Sequence, residues 1–214
     1  MYIDIHTHAP AALNTHQYIK VESLYALPHT PLDANLYYSA GMHPWYPEKL
    51  NITDLEHAVK TYSNIIAIGE CGLDKITDTP WETQLNLFKK QIKLAQTCKK
   101  PLIIHCVRAY NECVQLLKDS QVPIIFHGFN RNQHIAQSLL DAGAYLSFGA
   151  GLFKEALHAV FKNIPLDKVF LETDDASISI EEIYKKAAII RDIPLEELIL
   201  QLESNFKHVF LYAR

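Results

Sequence analysis

Short apolar runs recur along the chain, and five of them end in a histidine or a carboxylate. Runs of this kind, bounded by polar residues, are typical of strands buried on both faces of a parallel sheet. Eight parallel strands are the number that a closed (β/α)8 barrel requires. Eight segments fit this description: Tyr2–His6, Tyr18–Leu27, Leu36–Gly41, Ile65–Glu70, Leu102–His105, Pro123–His127, Tyr145–Phe148 and Val169–Asp174.

Helical periodicity separates the strands from the fourth one onward. Between Glu82 and Cys98, apolar side chains recur at helical spacing on one face. Further helices are predicted at Asn111–Lys118, Gln133–Ala142, Lys154–Asn163, Glu181–Arg191 and Leu195–Phe210. This alternation predicts an α/β fold, a distorted (β/α)8 TIM barrel, and the length suits a single domain over residues 1–214.

The first third of the chain departs from this alternation. The segments Ala9–Gln17 and Pro28–Asn35 contain prolines and have little helical periodicity. A parallel crossover with its helix normally takes at least about 10–12 residues. We therefore expect a barrel that is shortened in its first third and has lost one or two early helices.

Potential metal ligands stand where five of the predicted strands end. His6 and His8 are two residues apart, which places both imidazoles on one side of a strand. The carboxyl ends of barrel strands converge on one face, so the ligands of different strands should meet there. Each histidine alone is more typical of a structural histidine, and Glu70 alone could form an ion pair with a nearby Lys or Arg, but together these residues predict a metal centre. The candidate ligands are His6, His8, Glu70, His105, His127 and Asp174.

Two carboxylates in this set could have roles in addition to binding a single metal ion. Glu70 follows an otherwise apolar strand, and its two oxygens could bridge two metal ions, which a histidine cannot do. Asp174 suits a ligand that also accepts a proton from water. Asp4 precedes the histidines on their strand and could fix an imidazole tautomer or, equally well, cap a neighbouring loop.

The net charge and the cysteine content restrict the function and the redox environment that we expect for the protein. A net charge of −4 gives no broad basic surface for nucleic acid, which argues against tight non-specific DNA binding. The four cysteines form no CxxC pair, so reduced, mostly buried thiols are expected. We expect a cytoplasmic enzyme without membrane partners, because neither a secretory signal nor an apolar stretch of roughly 18 residues is apparent.

Taken together, these residues resemble the TatD-related metal-dependent hydrolases, the TatD-type deoxyribonucleases of the amidohydrolase-like superfamily. The resemblance runs along the whole length of the chain. Its motifs are Asp4-x-His6-x-His8, Gly41-Met42-His43-Pro44, Gly69-Glu70-x-Gly72-Leu73-Asp74, Gln84-x3-Phe88-x2-Gln91, Pro101-Leu102-Ile103-Ile104-His105-x2-Arg108, His127-Gly128-Phe129, Leu171-Glu172-Thr173-Asp174 and Asn205-x4-Phe210.

The resemblance implies a centre of two divalent metal ions, for which Zn, Mn and Mg all suit the mixed ligands. His6, His8 and Asp174 would hold one ion, and His105 and His127 the other. Glu70 would be shared between them, and Glu70 and Asp174 would be the catalytic carboxylates.

Substrate-binding roles are implied for two further residues. Arg108 would grip a phosphate oxygen, or else form a surface ion pair. His43 would lie beside the substrate or a ligand, or else stabilise its turn. Trp45, Tyr46 and Tyr110 could stack nucleic-acid bases or simply pack.

The implied activity is hydrolysis of phosphodiester bonds, with DNA ends or short single strands as substrate in an exonuclease-like reaction. We expect a monomer or a weak homo-oligomer. Family members are usually longer after the first strand, and many continue with Ala-Pro where this chain has Asp175, Ala176 and Ser177. Two alternatives therefore stay open: a hydrolase of a small phosphoester, lactone or amide, and a non-catalytic metal-binding barrel.

Overall fold

In the computed structural model, residues 1–9, 17–28 and 30–212 are described. They form one sheet of eight parallel strands, and each strand pairs with the next one along the chain. The predicted barrel is thereby confirmed. The strands are β1 Tyr2–Thr7, β2 Tyr18–Leu24, β3 Tyr37–Ala40, β4 Ile65–Asp74, β5 Leu102–Val107, β6 Ile124–Phe126, β7 Tyr145–Phe148 and β8 Val169–Leu171.

The barrel closes where its first strand meets the segment that follows its last one. The backbone N–H of Asp174 donates to the carbonyl of His6 at 3.0 Å, and that of His8 donates to the carbonyl of Asp174 at 3.1 Å. These hydrogen bonds hold three predicted ligands side by side.

Helices surround the strands. They are α1 Ile52–Thr61, α2 Trp81–Cys98, α3 Tyr110–Leu117, α4 Gln133–Asp141, α5 His158–Asn163, α6 Ile180–Arg191 and α7 Leu195–Phe206. Helix α1 was not predicted; Asn51 caps it by accepting from the N–H of Asp54, and it buries Leu55, Ala58 and Val59. No helix among the described residues is both long and apolar enough to cross a membrane.

Several predicted boundaries shift for local reasons. The helix expected from Lys154 begins at His158, because Lys154 is extended and separates two short 3-10 turns, Ala150–Phe153 and Glu155–Leu157. Strands β6 and β8 end before their predicted ligands, at Phe126 and Leu171. Gly128 and Asp174, beyond these ends, have φ angles of 57° and 55° and are not extended. The final helix becomes a π-helix at Lys207–Tyr212.

The connections between β1 and β3 contain no helix among the residues described there, which leave out 10–16 and 29. The predicted shortening therefore holds for the described part of this region. The predicted segments Ala9–Gln17 and Pro28–Asn35 lie partly outside the described residues.

The apolar core has two layers. The larger one lies between the strands and the helices. In the smaller one, side chains from the second position of several strands, such as Ile66, Ile103 and Phe170, pack with Phe206 and Phe210 of the carboxyl-terminal segment. Burying each of these side chains contributes about 1.5–3 kcal/mol. The amino-terminal end of the barrel is thus filled with apolar side chains, and the polar cluster forms at the other end.

Candidate metal centre

Glu70 is the middle of the polar cluster. Its side chain is only 3% exposed, and it is surrounded by imidazole nitrogens from five histidines. Its Oε2 lies 3.3 Å from His6 Nε2 and 3.3 Å from His8 Nε2. Its Oε1 lies 3.1 Å from His43 Nε2, 2.6 Å from His105 Nδ1 and 2.7 Å from His127 Nε2. The two carboxylate oxygens therefore face two separate groups of ligands.

Two glycines allow the backbone at Glu70 to pack this closely. A Cβ on Gly41 would lie 2.6 Å from the carbonyl oxygen of Glu70. Gly72 has a φ of 146°, and a Cβ there would lie 2.0 Å from the carbonyl oxygen of His105. Larger residues would push β3 or β5 away from β4, so the glycines of these motifs bring the ligands within reach of one another.

The Oε2 half of the centre consists of His6, His8 and Asp174. Asp174 Oδ1 lies 3.7 Å from His6 Nε2 and 3.5 Å from His8 Nε2. His6 is fully buried, and neither of its ring nitrogens has a hydrogen-bond partner in the part of the chain that the structure describes. Its 3.3 Å approach to Glu70 gives electrostatic attraction without the alignment of a hydrogen bond. A buried polar nitrogen of this kind normally has a partner.

The Oε1 half consists of His105 and His127, each of which lies between Glu70 and a second buried carboxylate. Asp74 Oδ2 accepts from His105 Nε2 at 2.9 Å, which leaves Nδ1 turned toward Glu70. Glu172 Oε1 accepts from the N–H of Gly128 at 2.5 Å and lies 3.6 Å from His127 Nδ1. Asp74 thereby fixes the ring nitrogen of His105 that faces the centre, as carboxylates commonly do behind histidine ligands. Glu172 places a negative charge beside His127 at a distance too long for a hydrogen bond.

His43 uses both of its ring nitrogens. Nδ1 accepts from the backbone N–H of Trp45 at 3.0 Å, so Nε2 carries the proton that points to Glu70. Burial lowers the pKa of His43, which keeps the ring neutral. His43 is therefore a donor that orients Glu70, and its nitrogens are not free for a metal ion.

The charges of the cluster depend on one another. Although burial opposes it, the neighbouring histidines hold the pKa of Glu70 well below its usual range. Burial likewise opposes protonation of His127, but the charge of Glu70 and the carboxylate of Glu172 raise the pKa of this ring well above its ordinary value. Hydrogen bonds to Asp74 and Glu70 overcome burial and raise the pKa of His105. Binding of a divalent cation at these rings would therefore compete with protons.

The donor set fits divalent metal ions. Several groups of three ligand atoms each lie within 4.8 Å of one another, among them His6 with His8 and Asp174, and His6 with Glu70 and His127. The buried His6 nitrogens, which have no hydrogen-bond partner among the described residues, are donor atoms of the kind that a divalent cation binds. Imidazole and carboxylate together suit Zn, Mn or Mg.

The structure brings the six predicted ligands and His43 together. It leaves Arg108 exposed, with no hydrogen bond or ion pair to any residue in the described part of the chain. Asp4 caps a neighbouring segment: its carboxylate accepts hydrogen bonds from the N–H and the hydroxyl of Thr173 at 3.0 and 2.6 Å. Burial raises the pKa of Asp4 to about 7. Of the two roles considered for Asp4, the structure thus shows the cap of a neighbouring segment and not the contact with an imidazole.

Sequence motifs alone gave no role to Asp74 or Glu172. Both stand in motifs that carry a ligand, Asp74 four residues after Glu70 and Glu172 two residues before Asp174. The only sequence signal for these two residues was the presence of a second acid close to a predicted ligand. This signal could not identify the histidine that each acid contacts, because that histidine comes from a strand distant in sequence.

Comparison with known proteins agrees with this geometry. Residues 11–211 match the family model described as TatD related DNase. An uncharacterized metal-dependent hydrolase of Buchnera aphidicola subsp. Baizongia pistaciae is 38% identical over 157 residues, which is 68% of this chain and 58% of that protein. The chain thus spans less than two thirds of the length of this relative.

Two further comparisons extend this result. A protein of Pectobacterium atrosepticum named 3'-5' ssDNA/RNA exonuclease TatD is 30% identical over 177 residues, 77% of this chain and 68% of that protein. The crystal structure of YJJV, a TatD homologue from Escherichia coli K12, has a TM-score of 0.77 and 22% identity, and covers 90% of this chain and 86% of that one. This structural likeness shows the barrel fold. With a family model that matches nearly the whole sequence, the chain belongs to the TatD-related family of metal-dependent hydrolases.

Proposed function

We propose that the protein is a two-metal hydrolase of phosphodiester bonds, with DNA ends or short single strands as substrate. The observation that carries the proposal is Glu70, whose two oxygens face separate ligand groups. The Oε2 half would hold one ion through His6, His8 and Asp174. The Oε1 half would hold the other through His105 Nδ1 and His127 Nε2, with Glu70 between them.

Bound divalent ions supply a water of lowered pKa and neutralise charge on the phosphate. Asp174 is the proton acceptor in this proposal: its side chain is 35% exposed, while that of Glu70 is 3% exposed, so Asp174 can pass a proton to solvent. Burial raises the pKa of Asp174, which favours proton uptake. Glu70 instead remains ionised and holds the two halves at a fixed separation.

Exposed aromatic side chains at the rim support a single-stranded substrate. Tyr25, Trp45 and Tyr46 are 40%, 47% and 38% exposed. The ring of Tyr46 lies 5.3 Å from Tyr25 and 5.6 Å from His43, and Tyr25 lies 6.4 Å from His8. We call Tyr25, Trp45 and Tyr46 the aromatic rim. Unpaired bases stack on such rings without regard to sequence.

The structure gives weaker support for substrate binding by Tyr110 and Arg108. Tyr110 packs against Phe126 and supports Arg131, so we do not include it in base stacking. Arg108 stays a candidate for orienting a phosphate, since its guanidinium is exposed beside the end of β5.

The test uses metal-stripped protein with bis-p-nitrophenyl phosphate and a labelled single-stranded oligonucleotide, to which Zn, Mn or Mg is added back separately. We expect metal-dependent cleavage of both. The Glu70→Gln variant should lose about a thousandfold or more in kcat/KM, because several kcal/mol of metal-dependent stabilisation convert at about 1.4 kcal/mol per tenfold. Equal cleavage by the variant would contradict the proposal.

A second candidate keeps the metals and changes the substrate. The net charge of −4 favours a small ligand over a long polyanion. A panel of phosphomonoesters, lactones and cyclic amides, assayed beside the phosphodiesters, separates the two. Preference for a lactone or an amide by orders of magnitude would select the small-molecule hydrolase, and metal binding without any turnover would select a non-catalytic barrel.

A further inference from the structure

A cavity adjoins the metal centre, and the residues of the aromatic rim do not line it. It has a volume of about 590 Å³ and lies between the loops that follow β6, β7 and β8. Glu172 and Asp174 belong both to its wall and to the centre. A cavity of this size holds a ligand of nucleotide dimensions.

Two cations line this cavity. Arg131 follows β6 and Lys154 follows β7, and both side chains are exposed. Arg131 Nε donates to Tyr110 Oη at 3.4 Å, and its guanidinium carbon lies 6.0 Å from the centre of the Tyr110 ring. Within the described part of the chain, the terminal nitrogens of Arg131 and the ammonium of Lys154 have no hydrogen-bond or ion-pair partner.

Several neutral and acidic groups in the same wall are engaged within the protein, and the exposed carboxylate of Asp175 also lines it. Asn132 caps α4 by accepting from the N–H of Ile135. Glu172 accepts from Gly128 and stands behind His127, and Asp174 belongs to the Oε2 half. The charged donors left for an incoming ligand are therefore cationic. A planar guanidinium held on one side by a tyrosine presents its other nitrogens in the geometry that phosphate oxygens accept.

We propose that Arg131 and Lys154 form a subsite for a second phosphate of the substrate, the one next to the phosphodiester at the metal centre. The inference rests on the proposed function and deepens it, because it makes a strand with at least two backbone phosphates the preferred substrate. Arg131 takes the phosphate oxygens by hydrogen bonds, and Lys154 adds a point charge from the neighbouring loop after β7.

Binding tests this subsite without turnover. The probes are fluorescein-labelled thymidine dinucleotide and trinucleotide with phosphorothioate linkages, which carry one and two backbone phosphates, and the readout is anisotropy with added Zn²⁺. We expect the wild-type protein to bind the trinucleotide about tenfold more tightly, the size of a charge-assisted contact at an accessible site. The double variant Arg131→Ala/Lys154→Ala should lose this ratio.

A matched control keeps the change in net charge constant. Lys89→Ala/Lys118→Ala removes two exposed lysines on the surface of α2 and after α3, and should keep the ratio. A ratio near one in the wild type, or one preserved in the Arg131/Lys154 variant, overturns the subsite. If the wild type shows the ratio, the variant loses it, and unmodified oligonucleotides are not hydrolysed, then the subsite stands and the proposed phosphodiesterase activity fails.

Discussion

The two halves of the metal centre are built in different ways. The Oε2 half takes His6 and His8 from one strand and Asp174 from the segment hydrogen-bonded to that strand. The Oε1 half takes His105 and His127 from two strands, and each ring is backed by a second carboxylate. The backbone positions the first half, whereas buried acids distant from their histidines in sequence position the second. The halves should therefore respond differently to substitution.

The largest difference is expected when one ligand is removed from each half. Glu70 faces both halves, so His6→Ala and His105→Ala should each lose one of two bound ions while the other ion remains. Each variant should lose about a hundredfold or more in kcat/KM, because a few kcal/mol of transition-state stabilisation go with the ion. Metal content by mass spectrometry after gel filtration checks this result. Loss of both ions in either variant would show that the halves do not bind independently.

Removing the acid behind a histidine should affect the Oε1 half alone. Asp74 accepts from His105 Nε2 and from the indole N–H of Trp45, and its pKa is held at about 2 by these donors despite burial. Asp74→Asn should weaken metal binding in this half about 10–100-fold. Titration with Zn²⁺ and a competing chelator measures both affinities.

Asp119→Asn is a matched control for that experiment, because Asp119 is an exposed carboxylate near the end of α3. Equal loss of affinity in the two halves after Asp74→Asn would refute the assignment of Asp74 to His105.

A smaller effect is expected at the aromatic rim, whose members border different halves: Tyr25 lies near His8, and Tyr46 near His43. Tyr25→Leu/Tyr46→Leu should raise KM for a single-stranded oligonucleotide about tenfold, since stacking contributes about 1–3 kcal/mol per base. An oligonucleotide of the same length with abasic sites is the comparison substrate. If the ratio of KM for the abasic oligonucleotide to KM for the normal one is the same in the variant and the wild type, the rim does not stack bases.

The smallest effect on metal binding is expected at Asp4, although it lies two residues from His6. Its carboxylate accepts two hydrogen bonds from Thr173. Asp4→Ala should lower the free energy of unfolding by about 1–3 kcal/mol, because the N–H of Thr173 is left buried without a partner. Urea unfolding measures the loss, and Zn²⁺ affinity should stay within about twofold of the wild type. A tenfold loss of affinity would restore Asp4 to the metal centre.

The pattern along the sequence was sufficient for the barrel and for the set of residues that meet at one end of it. Alternating apolar runs and helices leave few other topologies, because strands buried on both faces need helices on the outside. The ends of these strands converge by geometry, so the strand pattern alone could place His6, His8, Glu70, His105 and Asp174 at one site. Helix α1 was missed, although Asn51 and the apolar spacing of Leu55, Ala58 and Val59 mark it.

The tertiary structure alone decided which groups stand behind the histidines and which charges line the cavity beside them. Asp4 and Asp74 are both acids close to a ligand in sequence, yet one caps Thr173 and the other orients His105. The sequence favoured Arg108 as a phosphate-binding residue because it stands three residues after His105, whereas Arg131 lines the cavity beside the centre. Spacing along a strand fixes the side to which a residue points. The partner it meets depends on strand register and on loops after other strands, which local sequence does not encode.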